Sequence, residues 1–124
     1  MKRPSLLIVD DEQDFKEMLK TLLNAKFSID CDEAKNGIEA LELIKKNAYT
    51  CVLLDIKMPQ KGGISVIEEA KKIRPDLNII VISAWLSNQV IDQSIRSRAD
   101  DYITKPIDEN VLEMKLKKVF ERAK

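Results

Sequence analysis

The chain contains no histidine, and this argues strongly against a zinc site built from cysteine and histidine ligands. Its two cysteines, Cys31 and Cys51, are too few for a disulfide framework, and with no export signal they are expected to stay as reduced thiols. Cys51 sits within an apolar strand and reads as a small core residue, while Cys31 lies in a mixed segment after Phe27 and Ile29. Long hydrophobic runs are missing as well. The longest, such as Leu6 to Val9, stop far short of a bilayer span, and the amino terminus has no secretory apolar stretch. Nor is there a charge of one sign: 21 basic residues balance 21 acidic ones, so no overall field recommends nucleic acid or a membrane surface as a partner. A soluble cytoplasmic protein is the expectation. No internal repeat, linker or low-complexity stretch divides the 124 residues, which suit a single domain over 1–124 with a real core.

What is present is an alternation of strands with amphipathic helices. Phe15, Met18, Leu19, Leu22 and Leu23 follow helical spacing, as do Ile38, Leu41 and Ile44, then Ile64, Ile67 and Ala70, and finally Leu112, Leu116, Val119 and Phe120. A weaker helix over 88–97 has only Val90, Ile91 and Ile95 to bury. Apolar strands are expected near 5–10, 27–32, 50–55, 78–83 and 100–104. Five βα units with right-handed crossovers make an α/β fold, a doubly wound parallel sheet with helices on both faces.

Several of these strands end in chemistry. Leu6-Leu7-Ile8-Val9 runs into Asp10-Asp11-Glu12, Cys51-Val52-Leu53-Leu54 into Asp55, Ile79-Ile80-Val81-Ile82 into Ser83-Ala84, and Asp101-Tyr102-Ile103-Thr104 into Lys105-Pro106. In a parallel sheet the carboxyl ends of the strands open on one crevice, where such folds bind ligands. Three carboxylates, a hydroxyl and an amine would meet there. Each also has an ordinary reading: Asp10-Asp11-Glu12 as a solvated turn with a helix cap, Asp55 as a capping aspartate, Ser83 as a turn residue, Lys105 as a solvent-facing lysine and Tyr102 as strand packing.

Asp10-Asp11, Asp55 with Met58-Pro59 after it, Ser83-Ala84, and Asp101 through Pro106 occur in the order and at the intervals of a receiver domain, and the chain resembles the CheY-like modules of two-component response regulators over essentially its whole length. The resemblance implies a flavodoxin-like (βα)5 single domain with five strands in the order 2-1-3-4-5. It implies a phosphoryl group accepted on Asp55 from a histidine kinase or histidine phosphotransfer protein. Asp11 and Asp55 would bind Mg2+ directly, Asp10 largely through water, and the backbone carbonyl of Lys57 would add a ligand. Lys105 would pair with the acceptor and then with its phosphoryl oxygens, through a Lys105-Pro106 bond that such domains commonly hold cis. Ser83 would sense the phosphoryl group. Tyr102 would act as a packing switch that passes the signal to a surface made of the fourth helix, the fifth strand and the last helix. Downstream effectors are implied as partners, and a phosphorylation-dependent homodimer is compatible with the family; direct nucleic-acid binding by this domain and a membrane partner are not expected.

Two departures mark this chain. Lys61-Gly62-Gly63 stands where the family usually has a large apolar residue and Asp-Gly, and Arg98 replaces the usual glycine before Ala99. Lys57 and Trp85, two residues beyond Asp55 and Ser83, are expected to flank the approach of a hydrolytic water. Neither offers a carboxylate or amide to position it, so a persistent phosphorylated state is expected, unless Trp85 packs elsewhere on the surface. Lys115, Lys117 and Lys118 read as a solvated basic face, and Met114 and Val111 as either core edge or docking surface.

Two other classes compete. An aspartate-nucleophile phosphatase of the haloacid dehalogenase type also places Asp after a parallel strand, but it wants a second Asp two residues later, where this chain has Lys57. A phosphorylation-independent interaction module would retain the fold without the switch residues, all of which are present.

Overall fold

The computed structural model describes residues 5–56, 63–84, 91, 96 and 98–122. Five strands, β1 (Leu6–Val9), β2 (Cys31–Ala34), β3 (Cys51–Asp55), β4 (Asn78–Ser83) and β5 (Asp101–Thr104), alternate with α1 (Gln13–Phe27), α2 (Gly37–Lys46), α3 (Gly63–Ile73) and α4 (Glu109–Arg122). All strand pairs are parallel, in the order β2-β1-β3-β4-β5, as the resemblance implies. Of the helix expected at 88–97, only Ile91 and Arg96 are described, both helical; the rest of that segment lies outside the described residues.

The period of two in the strands decides which helix covers which face. Leu7, Val9, Val52, Leu54, Ile79 and Val81 point to one side and pack with Ala40, Leu41 and Ile44 of α2 and Val66, Ile67 and Ala70 of α3. Leu6, Ile8, Leu53, Ile80, Ile82 and Ile103 point to the other and meet Leu19 and Leu23 of α1 and Leu112, Leu116 and Val119 of α4. Burying each such aliphatic side chain is worth roughly 1.5–3 kcal/mol, so this two-sided core is the platform that holds the strand ends still. Not every apolar residue with helical spacing faces inward: Met18 and Ile38 remain about half exposed.

The second strand differs from the expectation of 27–32. Phe27 is the last residue of α1, Ser28 turns the chain in the left-handed conformation (φ 54°), and the strand starts only at Cys31. The apolar pair that suggested a strand is satisfied otherwise: Phe27 meets Phe120 edge-on with ring centroids 5.2 Å apart, and Ile29 is buried in the connection. Strand β2 itself, Cys-Asp-Glu-Ala, is an edge strand whose outward carboxylates are tied down. Tyr49 donates its hydroxyl to Asp32 at 2.5 Å, and Glu33 accepts from Lys20 at 2.9 Å and from Gln13 at 3.2 Å.

Both thiols are free and buried. Leu6 is the register partner of Cys31 on one side and of Cys51 on the other. Two strand spacings of about 4.8 Å therefore separate them, beyond the roughly 7 Å that a disulfide spans. Burial pushes the Cys31 thiol up to about 11, and it raises that of Cys51 further.

Local signals set several helix ends. Asn36 caps α2 by accepting the amide of Glu39 at 2.9 Å, while the Glu39 carboxylate reaches back to the Lys35 amide at 3.3 Å. Asp108 accepts the amides of Asn110 and Val111 at the start of α4. Gly63 opens α3 where a Cβ would come within 2.5 Å of the Ile56 Cα, and its amide bonds the Ile56 carbonyl. Only glycine fits that approach, so the altered Lys61-Gly62-Gly63 sequence keeps the one residue that closes the connection out of β3.

The opposite end of the sheet is held by a buried lysine. Lys71 of α3 donates to the Leu77 carbonyl and, at 2.9 Å, to Asp100, whose same oxygen accepts the Ile79 amide at 2.8 Å. These bonds fix where β4 and β5 begin. Two residues earlier, Arg98 has a positive φ of 77° and an exposed side chain. A side chain in that region costs roughly 1–2 kcal/mol, partly offset by the greater chain entropy that glycine would lose. Arg98→Gly is accordingly expected to stabilise the domain by about 0.5–1 kcal/mol, seen as a higher urea midpoint at unchanged slope. A lower midpoint would contradict the assignment of strain to this residue.

Candidate functional site

The parallel register builds the site. Val9 pairs with Leu54, so the next residue of β1, Asp10, emerges beside Asp55 at the end of β3. Asp55 in turn pairs with Ile82, which places Ser83 one step beyond on β4, and Ser83 pairs with Thr104, the residue before Lys105. The Lys105 amide bonds the Ser83 carbonyl at 2.9 Å, and the Lys105-Pro106 peptide is cis, the geometry that the resemblance led us to expect.

Asp10 is 1 % exposed, Asp55 6 % and Ser83 2 %, whereas Asp11 lies on the surface. Asp10 is thus not part of a solvated turn. Its Oδ1 accepts the Glu12 amide at 2.9 Å, shaping the turn into α1, and its Oδ2 accepts from the Lys105 ammonium at 2.8 Å. The side chain of Glu12, the residue just before α1, makes no capping bond. The ammonium also donates to Asp55 Oδ2 at 3.2 Å and lies 3.7 Å from Glu12. Burial pulls the Lys105 ammonium down, but the Asp10 hydrogen bond and the charges of Asp55 and Asp10 outweigh it and raise it above the ordinary lysine value. It remains a full positive charge at any physiological pH.

One carboxylate oxygen from each of Asp10, Asp11 and Asp55 lies within 4.8 Å of the others. Lys105 neutralises only part of that charge, and two of the three carboxylates are largely removed from water. A hard divalent cation relieves the repulsion, and an all-oxygen set of few carboxylates is the donor chemistry that Mg2+ takes. Lys57, named above as a further ligand through its carbonyl, lies outside the described residues, as does Trp85.

Tyr102 is 37 % exposed and stands on the outward side of β5, not packed inside the sheet. Lys115 of α4 donates to the Tyr102 carbonyl at 2.8 Å and to Asp101 at 2.6 Å, with its ammonium 5.2 Å from the Tyr102 ring centroid. Lys115 is therefore engaged within the domain, and Lys117 pairs with Glu113 one turn earlier. Met114 is half exposed and Val111 half-buried.

One contact at the site was not legible in the sequence: the Lys105 ammonium sits 4.1 Å from the centroid of the Phe15 ring. Phe15 has the spacing of an ordinary core residue of α1, and no local signal distinguishes it. Only the meeting of the first helix with the loop after the fifth strand reveals its neighbour.

Comparison with known proteins agrees with this geometry. The family model of the response regulator receiver domain matches residues 6–117. The chain is 35% identical over 101 residues to the chemotaxis protein CheY of Halobacterium salinarum, covering 82% of this chain and 83% of that protein. It is also 35% identical over 117 residues to the transcriptional regulatory protein SrrA of Staphylococcus aureus, covering 94% of this chain but 48% of SrrA. The chain thus spans about half the length of that relative. The crystal structure of a CheY-like response regulator receiver domain protein from Methanospirillum hungatei JF-1 superposes with a TM-score of 0.92 at 29% identity, over 98% of both chains. The chain belongs to the response regulator receiver domain family.

The acidic cluster has a direct consequence for stability. Mg2+ is expected to raise the melting temperature progressively with concentration, since a ligand bound only by the folded state stabilises it by about 2.7 kcal/mol at a hundred times its Kd. Asp11→Ala should remove most of that increment. Equal Mg2+ responses of the two proteins in thermal melts would exclude Asp11 as a ligand.

Proposed function

We propose that this domain is a phosphoacceptor switch of two-component signalling, taking a phosphoryl group on Asp55 from a histidine kinase or histidine phosphotransfer protein. The observation that carries the reading is the shared ammonium: Lys105 bridges Asp55 and Asp10 at 3.2 and 2.8 Å, at the mouth of the sheet beside a carboxylate trio suited to Mg2+. Bound there, Mg2+ would neutralise carboxylate charge and screen an incoming phosphoryl group.

In the transfer, a carboxylate oxygen of Asp55 forms a bond to phosphorus as the bond from phosphorus to the donor's imidazole nitrogen breaks; the other ring nitrogen of the phosphohistidine carries a proton, so a neutral imidazole departs and an acyl phosphate is left on the domain. Positioning and charge do most of the work in such reactions. Asp55 is held on a buried strand, and Lys105 supplies a fixed positive charge for the phosphoryl oxygens. The hydroxyl of Ser83, one step beyond the register partner of Asp55, would donate to one of those oxygens and draw its loop inward. Tyr102, on the neighbouring strand, then changes its packing, and the surface around β5 and α4 passes the change to an effector. Asp55 acts here on its own phosphorylation and not as a turnover catalyst. The phosphatase alternative lacks its second acid, since Lys57 stands there, and the family match favours a signalling domain.

Incubation with Mg2+ and phosphoramidate should add one phosphoryl group, located on Asp55 by mass spectrometry, and Asp55→Asn should abolish it. Label persisting undiminished in Asp55→Asn would refute the acceptor.

The residues two places beyond Asp55 and Ser83 in the sequence bear on the lifetime of the phosphoryl group. With Lys57 and Trp85 unable to position a water, the acyl phosphate is expected to be long-lived, suited to relay or sustained output. Decay in Mg2+ after donor removal should accelerate by at least severalfold in Trp85→Glu or Lys57→Asn. Unchanged decay in both variants would leave shielding without support.

A further inference from the structure

The geometry points to Phe15 as a positioning residue for phosphoryl transfer: its ring forms an aromatic seat that keeps the Lys105 ammonium aimed at Asp55, and the inference rests on the phosphoacceptor reading above. A lysine reaches its target on a flexible four-carbon stem. Its ammonium therefore goes wherever the local charges draw it. Here three acidic side chains compete for it, Asp10 at 2.8 Å, Asp55 at 3.2 Å and Glu12 at 3.7 Å. The buried Asp10 holds it more closely than the acceptor does. The Phe15 ring, 4.1 Å from the ammonium at its centroid, attracts the same charge through its quadrupole.

Two features separate this contact from incidental packing. First, the ring is anchored. Phe15 packs against the core between α1, α4 and the sheet, so it does not follow the lysine as a surface side chain would. Second, the Lys105 side chain is only 12% exposed, so the ring acts where water screens it little. The ring's attraction also differs in kind from that of the carboxylates. When a cation takes up carboxylate charge, or Asp55 becomes an acyl phosphate, the anionic partners of Lys105 change. The neutral ring does not. It can hold the ammonium at the same height through the reaction, where a site made of carboxylates alone would let it shift between them.

The test separates the π face from apolar bulk and from the acceptor chemistry itself. Phe15→Leu keeps an apolar side chain of similar reach and removes the ring; Phe15→Tyr keeps the ring. In NMR of protein with labelled lysine, the Lys105 ε-methylene resonances, assigned by their loss in Lys105→Met, are expected to be shifted upfield by the ring in wild type and Phe15→Tyr, and to return toward ordinary lysine positions in Phe15→Leu. The initial rate of Asp55 phosphorylation by phosphoramidate in Mg2+ is expected to fall roughly three- to tenfold in Phe15→Leu, the range of a partly desolvated cation–π contact, and to recover in Phe15→Tyr. In a Lys105→Met background, Phe15→Leu should change the remaining rate little, because the two residues act as one unit. An unshifted Lys105 methylene in wild type, a Phe15→Leu rate equal to wild type, or an equal loss in the Lys105→Met background would each overturn the inference. A wild-type protein that takes no label on Asp55 overturns the phosphoacceptor reading instead, and the role in transfer with it, while the NMR shift still reports whether the ring holds the ammonium.

Discussion

The Lys105 ammonium, shared between Asp10 and Asp55, is the interaction on which the site depends. It joins the ends of the first and third strands to the loop that follows the fifth, segments separated by 95 and 50 residues. Two carboxylates so close together and so deeply buried repel each other strongly. One lysine lowers that cost without cancelling it, and the remaining negative charge leaves the cluster suited to a divalent cation. A site fully neutralised by its own side chains would have little use for one.

That arrangement is affordable because the sheet beneath it is rigid. Each strand contributes side chains alternately to the two core faces, and the register that buries them also aligns the polar residues at their carboxyl ends. Slipping any strand by one position would turn its aliphatic residues toward the wrong face and take its terminal carboxylate or hydroxyl out of the crevice. Core packing and site assembly are therefore consequences of the same register. At the far end of the sheet, the buried pairing of Lys71 with Asp100 and the backbone of Leu77 and Ile79 performs a corresponding task, fixing where β4 and β5 start.

Much of this architecture was legible because its causes are local or periodic. The apolar runs mark β1, β3 and β4 by composition, and helical spacing marks α1 to α4. The polar residues after the strands announce the crevice, since parallel strands must point their carboxyl ends the same way. Strand β2 was harder. Its residues are short and acidic, and Phe27 and Ile29 carry apolar character that is satisfied by packing with Phe120 and burial in a connection rather than by a strand. Arg98 was legible in the other sense: replacing a glycine expected at that position, it does take the positive φ of 77°.

By itself, the sequence determined the α/β alternation and the identity of the strand-end residues, because these follow from periodicity, composition and chain direction. Tertiary structure alone decided which of those residues share a charge. Asp10 is gripped by Lys105 and buried, Asp11 is left in water, Tyr102 faces outward beside Lys115, and Phe15 meets an ammonium ninety residues away. Such pairings depend on distances between segments remote in the chain, and on burial, which sets how strongly a charge is felt. No pattern within a window of neighbouring residues carries either quantity.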